Sequence, residues 1–349
     1  MSARLMVRNE QRRYAANSMR RRRGFTLVEL MVAMLLGLIV IGGVTSVFLA
    51  GQQTYRTNDA LGDVEDGSRT AFELLARDLR NAGLTGCDNT NGRIANVLSN
   101  STLWYTNWND ALYGYDDAST DPALNGLTGV GAPVAGNSSV HVLSTALTDV
   151  TVSFTPGSGQ GSSANIHITA GTSQLAANDL IMVCDFDHAT ILQITNYSGN
   201  QTVVHNMGTG SIGNCSKELG YPVLCTPNGN HYDFQSNARI AVLTANTWYI
   251  GTNPVGGQSL YRLNVGHGTG GVAAAPQEMV RNVTVMKVQY LQPPNTAFKT
   301  AALMTNWAAV DAAQIQLTVK SANLRADVTN STALSRSFTS TTTVRNRVQ

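Results

Sequence analysis

Residues 25–50 read FTLVELMVAMLLGLIVIGGVTSVFLA, an apolar run whose one charge is Glu29, and the run follows directly on Arg20-Arg21-Arg22-Arg23-Gly24. About 20 apolar residues cross a bilayer as a helix, so this segment confines the start of the chain to a helix with an apolar environment around it. A secretory signal peptide has a shorter apolar core with a small-residue cleavage site after it, whereas the only processing-like junction here, Gly24/Phe25, comes before it. A cut at that junction leaves the helix on the mature protein. The arginines lie on the N-terminal side, and the positive-inside rule therefore predicts a single-pass chain with residues 1–24 in the cytoplasm and the C-terminal part across the membrane.

Glu29 needs its own account, because an ionised carboxylate at the centre of a membrane helix costs about 2.5–3.5 kcal/mol. One explanation is that it snorkels to the interface beside the arginines. The other is that cleavage frees the amine of Phe25, one helical turn away, and that Glu29 pairs with this amine in its own subunit or in a neighbour.

The run Gly24-Phe25-Thr26-Leu27-Val28-Glu29 resembles the class III signal of type IV pilins and type II secretion pseudopilins. The resemblance implies that a prepilin peptidase cuts after Gly24 and N-methylates Phe25, and that Glu29 is the assembly carboxylate that registers one subunit against the next. A leader of 24 residues is longer than the usual form, and a start at Met19 would give a leader of the usual length.

Charge follows this division. Eight arginines against Glu10 place +7 in residues 1–24, so a chain of net charge +2 is left at about −5 beyond them. The basicity belongs to the leader, and no nucleic-acid surface is expected on the remainder, where clustered Lys and Arg would be needed.

Past the apolar run, Leu61, Val64, Ala71, Phe72, Leu75, Leu79 and Ala82 recur at three- and four-residue intervals, with Asp63, Asp66, Arg69, Glu73, Arg77, Asp78 and Arg80 mostly between them. This spacing predicts an amphipathic helix, with Glu73 and Arg77 as an i,i+4 pair and Gly83 just past its end. A single helix over 25–82 would be about 87 Å long at 1.5 Å per residue. Gly37, Gly42 and Gly43 lower helix propensity in the apolar half, and allow either local melting or close helix packing.

Beyond Gly83 short alternating segments predict strands. The clearest is Ala313–Lys320, followed by 239–250, 259–265 and 282–291, with a bulge expected between Val285 and Met286 where the apolar phase shifts. An earlier group is expected at 140–144, 150–154, 179–184, 190–195 and 202–205. The stretch 90–138, with Trp104, Tyr105, Trp108, Tyr113 and Tyr115, is too irregular for strands. The fold class is α+β: a long N-terminal helix, apolar then amphipathic, packed on a β-rich domain. The expected boundaries are 1–24 for a leader that is removed, 25–50 for the membrane or filament-core helix, 51–83 for its amphipathic continuation, and 84–349 for the β-rich domain.

Cys87, Cys184, Cys215 and Cys225 all fall on the exported side, where disulfides persist, and two bridges are expected. Three pairings are open. The preferred one joins Cys215 to Cys225 across a short loop, worth about 3 kcal/mol by chain entropy, and Cys87 to Cys184. There is no CxxC pair and the histidines are scattered, so no metal site is expected. Asp116, Asp117 and Asp121 lack the ligand spacing of a calcium loop and read as a solvated face.

No nucleophile elbow, P-loop or H-E-x-x-H motif occurs. Asp187 and His188 in Cys184-Asp185-Phe186-Asp187-His188 offer an acid and a base, but neighbours on a strand point to opposite faces, and the run reads as a solvated turn. The glycine- and serine-rich run 156–163 lacks the lysine of a phosphate cradle and reads as a hairpin connection. No catalytic residue and no cofactor are expected.

Further segments, 81–87, 180–195, 259–262, 283–290 and 342–346, are similar to minor pilins of the type IV pilus. That resemblance implies a structural subunit that primes assembly at the pilus tip and supports adhesion and twitching motility. Its partners would be prepilin peptidase, other minor pilins and the major pilin through the N-terminal helix, a PilY-type tip adhesin, and inner-membrane lipid before assembly. It would sit in the inner membrane with a periplasmic C-terminal domain, and later in the extracellular pilus. The alternatives are a J-like minor pseudopilin of type II secretion, and a membrane-anchored hydrolase, or an adhesin that binds its own ligand through the aromatic-rich 90–138 stretch.

Overall fold

The computed structural model describes residues 24–85, 93–155, 163–327 and 332–344. The chain divides into two units, one ending at Tyr55 and one beginning at Arg56. The architecture is α+β: a long N-terminal helix, α1 (Leu27–Arg80), followed by a β-rich domain.

In the first unit α1 is unbroken through Gly37, Gly42 and Gly43, so the glycines do not melt it. A Cβ added at any of the three would meet nothing within 4 Å. The apolar side chains from Phe25 to Leu49 are exposed.

In the second unit, Ala60, Val64, Ser68, Ala71, Leu75 and Leu79 follow one another at three- or four-residue intervals and are buried, which is the stripe a packed helix shows. Leu75 and Leu79 are fully buried, each contributing about 1.5–3 kcal/mol, so packing rather than propensity fixes this half. Asp78 departs from the expected polar face. It lies three residues after Leu75, on the same stripe, and is only 8 % exposed. The i,i+4 pair also differs, since Glu73 meets Arg69 at 3.0 Å while Arg77 lies 3.7 Å from Asp78. Helical hydrogen bonding stops at Arg80, and Gly83 takes φ 73°, the left-handed turn that a helix exit requires and that glycine adopts without strain.

Thirteen strands follow among the described residues. They are β1 (Ile94–Asn96), β2 (Leu112–Tyr115), β3 (Ser139–Phe154), β4 (Asn165–Ile168), β5 (Leu180–Cys184), β6 (Ala189–Gln193) and β7 (Thr202–Val204), then β8 (Arg239–Thr252), β9 (Gln258–Val265), β10 (Gln277–Arg281), β11 (Val283–Leu291), β12 (Ala312–Lys320) and β13 (Ser335–Thr343). The first ten form one sheet in the order β1-β6-β5-β8-β3-β4-β7, with β2 added to β3, β9 to β8 and β10 to β9. The last three form a second, antiparallel sheet, β11-β12-β13.

Alternation along β8 explains how the large sheet is covered on both faces. Ile240 and Val242 enter one apolar cluster, and Trp248 and Ile250, on the same face, enter the cluster that holds Leu75 and Leu79 of α1. Leu243, Ala245 and Tyr249 point the other way into smaller clusters under residues 104–127. Strand β5 is buried at every position for the same reason, with Ile181 and Val183 on one side and Leu180, Met182 and Cys184 on the other. Ile315, Leu317 and Val319 of β12 complete the core around α1.

Several strand expectations shift. The segments 140–144 and 150–154 are one strand, β3, with a register irregularity between Leu147 and Thr151. The irregularity in β11 falls between Val283 and Val285, just after Asn282 at φ 64°, and not between Val285 and Met286. The stretch 90–138 does carry strands, β1 and β2. Strand β13 (SRSFTSTTT) has no apolar alternation, and it is held by backbone pairing to β12 from Ser335↔Lys320 to Thr343↔Ala312.

Candidate functional site

The N-terminal element starts with a helix cap. Gly24, Phe25 and Thr26 precede the helix, and the Thr26 hydroxyl accepts the backbone N–H of Glu29 at 3.2 Å. Thr26-Leu27-Val28-Glu29 thus has the T-x-x-E spacing of a capping box, with Thr26 satisfying one of the four donors a helix start leaves open. Glu29 occupies the first turn, where the helix dipole favours an anion. Sequence reasoning assigned Gly24, Phe25 and Glu29 and missed Thr26, although the spacing alone carries the signal.

From here the apolar part of α1 runs on with none of it buried, and the helix is long and apolar enough to cross a membrane. Phe25 is 80 % exposed. Hydroxyls in this region turn back on the backbone: Thr45 donates to the Ile41 carbonyl at 2.7 Å and Thr54 to Ala50 at 3.0 Å. Thr45, within the apolar run, is thereby satisfied without water, as an apolar setting demands.

The sequence-predicted cysteines separate into two groups. Cys215 and Cys225 are joined by a disulfide. Cys184 ends β5, buried and disulfide-bonded, and Cys87 lies outside the described residues, as do Arg20–Arg23, most of the 156–163 run and residues 345–349.

Asp187 and His188 go to different partners. Asp187 meets Arg93 at 3.1 Å, whereas His188 is 2 % exposed, bonds the Leu219 carbonyl at 2.7 Å and stacks on Tyr232. Burial pushes the His188 pKa down. The turn is therefore only half solvated. Phe186 is exposed, but His188 is a core residue because the carbonyl of Leu219 and the ring of Tyr232 replace its water.

The three aspartates also separate. Asp116 accepts the N–H groups of Ala301 and Ala302 at 2.8 and 3.1 Å, and Asp117 caps Ser119 at 2.9 Å. Hydrogen bonds from the Ser119 backbone and hydroxyl hold the Asp117 carboxyl below the usual range. Asp121 is not solvated at all. It is fully buried and accepts from Ser139 Oγ at 2.6 Å and Ala123 N at 2.8 Å, with His141 Nε2 at 2.8 Å. Ser139 and His141 both meet the carboxylate and are not relayed one through the other, so this is no nucleophile–base–acid chain. Among the described residues no group of His, Cys, Asp and Glu is arranged to hold a metal ion.

Trp104, Tyr113 and Tyr115 stand around His141 at the mouth of a cleft of about 320 Å³. Burial, with Asp121 and Tyr113 nearby, pushes the Tyr115 phenol up to about 12.

No curated protein and no solved structure matches the chain. Residues 19–45 match the family model of the prokaryotic N-terminal methylation motif, the stretch that contains Gly24, Phe25 and Glu29. The chain carries a type IV pilin-like signal at the head of an exposed apolar helix.

Proposed function

We propose that this chain is a structural subunit of the type IV pilin class, and within it a minor pilin of the PilW type that primes assembly at the pilus tip. The observation that carries the reading is one helix with two characters: apolar and exposed behind the methylation signal, then buried along a stripe in a β-rich domain. Prepilin peptidase removes residues 1–24 and methylates Phe25. The helix then waits in the inner membrane and passes into a filament, where neighbouring helices replace lipid around it.

The exposed apolar face is the surface that lipid, and then neighbouring helices, would cover. Helices gain little from burying apolar surface when they move from lipid to a protein core, so packing and the few polar contacts set the register. Glu29 is the charged group placed to do so, opposite the amine of Phe25. Other minor pilins, the major pilin and a PilY-type adhesin are the partners of this reading, and adhesion and twitching motility are its downstream roles.

Mass spectrometry of the mature N-terminus tests it. N-methylated Phe25 is expected, and an intact leader or a cut after Ala50 would sink the proposal. Deletion of the gene tests the tip role: loss of surface pili is expected, and pili retained at normal levels would remove the priming function.

A further inference from the structure

The aromatic cleft of the β-rich domain has no part in the assembly reading, and its construction points to a ligand. Tyr113 and Tyr115 are two residues apart on β2, so their rings share one face while Leu112 turns to the core on the other. His141 lies opposite Tyr113 in the β2–β3 register and forms the floor, 2 % exposed. The ring centroids of Trp104 and Tyr115 lie 5.2 and 5.5 Å from His141. Asp121 engages Nε2 of the imidazole and so fixes the ring beneath the cleft.

Polar groups line the same opening. Asp110 accepts from Asn107 Nδ2 through Oδ2 at 3.1 Å, and among the described residues its other oxygen meets no hydrogen-bond partner. The phenol oxygens of Tyr113 and Tyr115 are likewise not engaged by a protein group among the described residues. All of these side chains are half-buried, and the space of about 320 Å³ between them is unfilled by protein. That volume is at the lower end of ligand pockets, which combine apolar walls with a few placed polar groups.

We infer that this cleft binds a neutral pyranose sugar. The flat C–H faces of a pyranose match the aromatic walls, and its adjacent hydroxyls match Asp110, Asn107 and the phenols, the carboxylate giving the stronger, charge-assisted bond. Aromatic walls and a carboxylate also suit an organic cation, but the neutral phenols of Tyr113 and Tyr115 and the amide of Asn107 in the same lining match the hydroxyls of a sugar and have no counterpart in a tetraalkylammonium. The sugar is thus the better match to the groups present. This inference stands apart from the assembly reading and holds or fails without it.

The test uses the full chain in lipid nanodiscs, which avoids glycoside detergents. Methyl glycosides of glucose, galactose, mannose and N-acetylglucosamine are screened by saturation-transfer NMR and titrated by tryptophan fluorescence, with tetramethylammonium as the competing probe. At least one glycoside is expected to bind with a Kd on the order of 1 mM. Asp110→Asn and Tyr115→Phe, which keep shape and fold, are expected to weaken it at least about fivefold with the unfolding temperature held within about 2 °C. Trp104→Ala should abolish it. The inference is overturned if no glycoside binds at roughly 20 mM. It is equally overturned if tetramethylammonium alone binds, or if Asp110→Asn and Tyr115→Phe bind as well as the parent.

Discussion

Trp248 donates its indole N–H to Asp78 at 2.9 Å, and the bond ties the amphipathic half of α1 to the central strand of the large sheet. Asn246 donates to the same carboxylate oxygen at 2.9 Å, Arg77 approaches the other, and the Arg262 guanidinium lies 5.8 Å above the Trp248 ring. Burial raises the Asp78 pKa, and the bonds from Trp248 and the nearby arginines only partly offset it.

Removing the carboxylate therefore strands two buried donors. Asp78→Ala should destabilise the β-rich domain by about 2–3 kcal/mol, and Asp78→Asn, which keeps an acceptor, by less. Because the folded pKa is raised, the contribution of Asp78 is full below the ordinary carboxylate range and is lost as pH rises through the raised value. Chemical denaturation across pH should show a flatter profile for Asp78→Asn than for the parent, and equal slopes would remove the argument.

His205 gives the opposite dependence. It is 2 % exposed with Nδ1 unpartnered, and burial pushes its pKa down to about 4. A depressed histidine contributes stability that is present above its unfolded value of about 6.5 and is lost as pH falls through about 4. The loss amounts to about 3 kcal/mol. His205→Leu should be less sensitive over that window, measured by denaturant midpoints at its two ends.

Glu29→Ala should leave cleavage after Gly24 intact while reducing recovery of the subunit in sheared filaments. Glu29→Gln should fail similarly, because it keeps the shape and loses the charge. Immunoblots of the membrane and sheared fractions decide this, and normal incorporation of both variants would contradict pairing with the Phe25 amine.

Reduction of Cys215–Cys225 should destabilise its loop, which closes ten residues along the chain, by about 2–3 kcal/mol on the chain-entropy model. Cys215→Ser with Cys225→Ser, followed by thermal denaturation, measures it, and an unchanged midpoint would mean the loop is held by packing.

The helix, its apolar half and its signal were legible because each depends on a local pattern: a long apolar run, a four-residue recurrence, or a hexapeptide. What failed depends on residues distant in sequence. Asp78 reads as a surface acid until Trp248 and Asn246 arrive from 170 and 168 residues away. Asp121 reads as solvated until Ser139 and His141 cover it. Strand β13 carries no apolar period at all, since its pairing is carried by backbone groups, which every residue possesses. The cleft is half legible: the aromatic-rich 90–138 stretch suggests a binding loop in the sequence, but only the β2–β3 register sets its aromatic residues around one histidine.

The cap at Thr26 separates two events that a shorter spacing would have fused. With helical structure starting at Leu27 and Thr26 holding the Glu29 amide, the proposed scissile bond between Gly24 and Phe25 lies in non-helical chain. A peptidase can take that bond into its own site without unwinding a turn, because the cap hydrogen bond from the Glu29 amide to Thr26 lies wholly downstream of it. On the proposed cleavage, precursor and product would share one helical start, and an arginine-rich peptide would be exchanged in front of it for a single ammonium group.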